Sequence, residues 1–244
     1  MAEVRHTRKA RSDKGDVQIN DRDIEALLWT GEQYAVRFDQ LQNLLGRNPG
    51  RGAKHKTWIS LNAVRLVANR WSRAGLVQVR KITVEDPPWV WLSAQGLRQF
   101  HLPYKFYAPT LGSLKHLFAI NEVRLQLESD CPEGHWESER ALRAGRRLGK
   151  GERFPHLPDA EFRLESRMIG IEVERSPKKP ETLLSNLKEL TTRYSEVWYY
   201  VTEKTHSGLL DAQNQLLPGY RERLHISTYL IEDDDEEEEE DEET

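Results

Sequence analysis

The sequence predicts an α/β protein in two parts, and three observations carry the prediction. Three amphipathic segments precede two β-rich runs within residues 20–92, and the second half opens on a long helical pattern before alternating strand-like and helical runs. No apolar run approaches the roughly 20 residues that span a bilayer, so the apolar 37% of the chain serves to fill cores. The N-terminal MAEVRHTRKARSDKGD lacks the apolar centre of a signal peptide, and the single cysteine, Cys131, excludes an intrachain disulfide or a Cys-rich zinc site. A cytoplasmic protein without membrane contact is expected.

The formal charge of -4 conceals a segregation. The last 13 residues, EDDDEEEEEDEET, hold 12 acids, and without them the chain has 36 basic against 28 acidic residues, a net +8. A basic body with an acidic appendage suits a polyanion-binding protein whose tail competes for its own site; a solubilising tail is the alternative.

Taken in order, residues 1–18 form a charged arm without periodicity. A helix starts at Asn20 or Asp21 with Ile24, Leu27 and Leu28 on one face, a second covers Arg37 to Leu45, and GRNPGRGAKHK is a basic loop. The third helix is capped by Ser60 and stopped by Gly75. LVQVRKITV and WVWLS then form a two-stranded ribbon, which completes the element order of a winged helix over residues 19–108. Helical spacing turns Val64, Val67, Ala68 and Trp71 inward and leaves Asn62, Arg65, Asn69, Arg70 and Arg73 outward. With Arg80 and Lys81 on the ribbon, these residues suit a helix laid in the major groove of double-stranded DNA; a solvated helix of a protein–protein module is the competing reading.

The second part, residues 109–231, starts with LGSLKHLFAINEVRLQLE, an amphipathic helix with Leu114, Leu117, Ile120, Leu125 and Leu127 among its apolar positions. HWESERAL reads as a strand that gives Glu137 and Glu139 a common face, and the basic loop RAGRRLGKGERFPH follows. DAEFRLE and IGIEVER are strands, ETLLSNLKELTTRY is a helix after Pro180, and VWYYVT is a strand buried on both faces. LLDAQNQLL and LHISTYLI add a helix and a strand, leaving residues 232–244 as the tail.

Glu172 and Glu174, two apart on a strand, share a face, and an antiparallel pairing of DAEFRLE with IGIEVER brings Asp159 near them. Three converging carboxylates call for a counter-charge, and an all-oxygen set favours magnesium or manganese. His116 and His156 are candidate phosphate or metal ligands; a structural hydrogen bond is the plainer role.

PD, a 12-residue spacer and E-x-E resemble the PD-(D/E)-x-K nuclease superfamily, and the order helix, three strands, helix, strand is similar to its core. With the N-terminal winged helix, the NEVR-containing helix, the PDA strand and the E-V-E-R strand, the chain resembles the replication-relaxation family of plasmids and mobile elements. The resemblance implies a restriction-endonuclease-like domain in which Asp159 and Glu172 hold the metal, Glu122 completes its shell and Glu174 is a ligand or general base. Glu174 stands where the superfamily carries lysine, so the catalytic lysine must come from elsewhere: Lys188 first, Lys178 or Lys179 as alternatives. The expected protein is a metal-dependent DNA endonuclease acting with a mobile-element ATPase, relaxase or transposase, and a homodimer suits a restriction-type domain that cuts one strand per copy. A catalytically inactive DNA-binding accessory that keeps the fold as a scaffold is the alternative.

Overall fold

The computed structural model describes residues 18–47, 59–145 and 156–228. The N-terminal arm, most of the loop GRNPGRGAKHK, the centre of RAGRRLGKGERFPH and the acidic tail lie outside the described residues. The described residues form a mixed α/β structure with two sheets.

In the first part, α1 (Asp21–Glu32) begins at a reciprocal cap: Asp23 N–H donates to Asn20 Oδ1 at 3.0 Å and Asn20 N–H to Asp23 Oδ2 at 3.2 Å. Its inward face is Ala26, Leu27, Trp29 and Thr30, whereas Ile24, expected inside, is 37% exposed. Asp23 takes the inward position instead, where it pairs with Arg70. A short strand absent from the expected order, β1 (Val36–Arg37), precedes α2 (Phe38–Gly46). Helix α3 (Leu61–Arg73) starts at Ser60, whose hydroxyl accepts from Ala63 N–H, and buries Val64, Ala68 and Trp71. Gly75, at φ 73°, turns the chain into β2 (Val77–Arg80), a conformation that an L side chain resists. Strands β2 and β3 (Trp89–Leu92) pair antiparallel from Val77↔Leu92 to Arg80↔Trp89, and β1 joins the other edge of β3. Helix α4 (Ala94–Gln99) closes this part.

The second part comprises α5 (Leu111–Asp130), β4 (His135–Ser138), α6 (Glu139–Gly145), β5 (Ala160–Leu164), β6 (Arg167–Glu174), α7 (Pro180–Arg193), β7 (Glu196–Val201), α8 (Glu203–Asn214), α9 (Pro218–Arg221) and β8 (Leu224–Thr228). The sheet runs β4-β5-β6-β7-β8, antiparallel from β4 to β6 and parallel thereafter. Val123 and Leu127 of α5 cover one face against Phe162, Ile169, Ile171 and Val173. Leu183, Leu187 and Leu190 of α7, with Leu209 of α8, cover the other against Val197, Tyr199 and Val201. Strand β7 is buried on the Val197, Tyr199 and Val201 face, whereas Trp198 and Tyr200 on its other face are only partly buried, so the expected burial on both faces is incomplete. HWESERAL is not one strand: the chain turns helical at Glu139, whose N–H donates to the Asp159 carbonyl at 2.8 Å, so Glu137 and Glu139 share no strand face.

Helix α5 is buried around much of its circumference rather than along one stripe, because it joins the two parts. Leu125 enters the core of the first part while Leu127 enters that of the second. Asn121, fully buried, donates to the Ala35 carbonyl at 2.9 Å and to Gln40 Oε1 at 3.0 Å. The Arg124 guanidinium lies 4.5 Å from the Trp29 ring and pairs with Glu32 and Glu128. No helix among the described residues is long and apolar enough to cross a membrane.

Candidate functional site

The register Ala160↔Ile171 sets Asp159 beside the end of β6, where Glu172 and Glu174 project. The three carboxylates converge on one cleft of about 520 Å³, walled by the start of α5, by α6, by the segment before β5 and by the β6–α7 connection. Glu172 is 3% exposed and Glu174 7%, so each carries a desolvation cost that a partner must offset.

Those partners are nitrogen groups of the chain itself. Asp159 Oδ1 is 3.0 Å from His116 Nε2, and its Oδ2 accepts from Val173 N–H at 2.8 Å. Glu172 Oε1 is 2.9 Å from His156 Nε2. Glu174 pairs with Lys178 four residues further along the chain. On the rim, Arg143 pairs with Glu139 at 2.5 Å, and the Tyr34 hydroxyl, from the first part, donates to Glu139 Oε2 at 3.4 Å.

The proton affinities follow from this geometry. Burial pushes the Glu172 carboxyl up to about 7, against the opposing hydrogen bond from His156. That hydrogen bond raises His156 despite its partial burial. Burial alone would lower His116, but the Asp159 charge and hydrogen bond more than reverse it. For Lys178 burial is likewise outweighed by Glu174. Tyr199, in register with Glu172 on the neighbouring strand, is held well above its ordinary value by burial and then by the surrounding carboxylates.

The structure brings together Asp159, Glu172 and Glu174 as expected, and excludes two residues from the cleft. Glu122 accepts from Gln40 Nε2 at 2.8 Å at the junction between the parts. Six residues on a helix rotate a side chain by about 240°, so His116 and Glu122 cannot share a face, and it is His116 that α5 contributes to the cleft. Lys188 is exposed on α7 away from the cleft, whereas Lys178, four residues after the end of β6, lines it. The histidines are therefore the functional residues whose importance sequence reasoning underweighted; their partners lie 43 and 16 residues away, beyond any local spacing signal.

Among the described residues no group of three or more His, Cys, Asp or Glu side chains is placed to hold a metal ion, and the cations that offset the carboxylates are His116, His156 and Lys178.

On the first part, Asn62, Arg65, Asn69, Arg73, Arg80 and Lys81 are exposed, as a binding face requires. Arg70 differs: it pairs with Asp23, which is 0% exposed, and so serves the fold. Leu66, 63% exposed, lies among the polar groups of α3. No protein-family model, curated protein or solved structure matches the chain.

Proposed function

We propose that the protein binds double-stranded DNA through α3 and the β2–β3 ribbon, arranged as a winged helix, and that the second part is a nuclease-type α/β scaffold without hydrolytic activity. The observation that carries this reading is the segment Leu61–Lys81, which contains five bases and no acid and leaves Arg65, Arg73, Arg80 and Lys81 exposed on one helix and the adjoining strand end. Arginines on such a face meet base edges or phosphates, and exposed Asn62 and Asn69 add hydrogen-bonding groups suited to adenine.

The order of α5, β4, β5, β6, α7 and β7, with Asp159 before β5 and Glu172 near the end of β6, supports the likeness to the PD-(D/E)-x-K core and, with the winged helix, to the replication-relaxation family. The one-to-one pairing of the cleft carboxylates favours the scaffold over the enzyme. An accessory role in mobile-element replication or transfer, with another protein supplying the chemistry, follows from that likeness.

The test is fluorescence anisotropy on duplex DNA at fixed salt with the Arg65→Glu, Arg73→Glu double variant. A loss of about 10-fold or more in affinity and a shallower salt dependence are expected. Unchanged affinity in a folded variant contradicts the reading. Plasmid incubation with magnesium or manganese separates scaffold from nuclease: nicking by the wild type that disappears in Asp159→Ala would establish the enzyme.

A further inference from the structure

We infer that the acidic segment Glu232–Thr244 docks on the exposed basic face of α3 and β2, making the chain its own competitor for DNA. The inference rests on that face being the DNA-binding surface proposed above, and adds the occupant that regulates it.

Charge complementarity selects the pair. Arg65, Arg73, Arg80 and Lys81 are exposed, and among the described residues none of them has an acidic partner, in contrast to Arg70 with Asp23. The segment offers 12 acids in 13 residues and no base, a linear density of negative charge that imitates a nucleic-acid strand. Attraction between one pair of exposed charges is weak and screened by salt, but several bases facing a dozen acids on the same chain act together at a high effective concentration.

Chain length permits the contact. Thr228 ends β8, and the 16 residues after it reach up to about 55 Å when extended. A body of this size has a radius of gyration of about 16 Å, or a half-circumference of about 65 Å, so the distal acids of the segment reach most of its surface and charge selects among the faces within range. The cleft is a poorer alternative, because His116, His156 and Lys178 are already paired with Asp159, Glu172 and Glu174, and Arg143 with Glu139.

The experiment uses full-length protein with a photo-crosslinking amino acid at position 238, and separately a full-length variant whose 12 terminal acids are replaced by Gln and Asn. In the absence of DNA, crosslinks to residues 61–81 are expected, and they should disappear in the Arg65→Glu, Arg73→Glu background. Crosslinks confined to the N-terminal arm or to other surfaces, or none, overturn the inference. In the DNA assay, the neutralised variant should bind about 10-fold more tightly at low salt, with the gap closing as salt rises. Equal affinity of wild type and neutralised variant overturns the inference while leaving DNA binding intact. Failure of both proteins to bind, with crosslinks to α3 present, overturns the DNA reading and leaves the docked segment standing.

Discussion

His116 Nε2 lies 3.0 Å from Asp159 Oδ1, so the helix that joins the two parts also closes one carboxylate of the cleft. The other Asp159 oxygen accepts from Val173 N–H, and its carbonyl accepts from Glu139 N–H. One residue thereby fastens α5, β6 and α6 together.

Replacing Asp159 with Ala should for that reason cost stability whatever the cleft does chemically. Val173 N–H loses its acceptor and His116 its counter-charge, an expected loss of about 1–3 kcal/mol in urea denaturation. Asp159→Asn, which keeps an acceptor oxygen, should cost less. Equal stability of Asp159→Ala and wild type would mean that these hydrogen bonds do not hold the cleft in solution.

The Glu172–His156 pair predicts a pH dependence. Glu172 is raised from 4.5 to about 7 by burial, and His156 is raised above 6.5 by its hydrogen bond to Glu172. Both changes give the folded state more bound protons than the unfolded chain, so stability falls as pH rises. The His156 contribution is complete below 6.5 and is lost as pH passes its folded value. For Glu172 the raised carboxyl loses stability from about 4.5 through about 7, the reverse of a carboxylate held low. Urea midpoints should therefore decline between about pH 5 and pH 8, and Glu172→Gln should flatten the profile. A midpoint that rises across this range contradicts the assignment.

Arg65 and Arg70, five residues apart on α3 and so on different faces of the helix, should separate function from fold. Arg70→Ala leaves Asp23 buried without its cation. A loss of about 2 kcal/mol is expected, less than for a fully buried pair because the Arg70 side chain is 35% exposed. Arg65→Ala should change stability by no more than about 0.5 kcal/mol while weakening DNA binding. Thermal unfolding and anisotropy on the same two variants decide the matter.

Two glycines make a matched contrast. A Cβ on Gly96 would stand 2.1 Å from the Leu76 carbonyl oxygen, a backbone atom held by its bond from Ser93 N–H, so Gly96→Ala should destabilise by more than about 2 kcal/mol. Gly112, near the start of α5 on the cleft wall, has nothing within 4 Å of an added Cβ, and Gly112→Ala should be neutral or stabilising by up to about 1 kcal/mol. Denaturation of both variants compares a blocked site with an open one under the same assay.

By itself the sequence determined what local chemistry controls. Asn20 and Ser60 cap helices, Gly75 ends one, and the two-residue period aligns Glu172 with Glu174; each acts within a few residues of chain, where spacing and backbone preference suffice. Tertiary structure alone decided which partner each polar group received. Glu122 found Gln40 while His116 found Asp159, Arg70 found Asp23 while Arg65 stayed exposed, and β1 exists only because β3 offered it an edge. These choices join residues up to 82 positions apart, and are fixed by helix rotation and strand register, which emerge only when the elements pack.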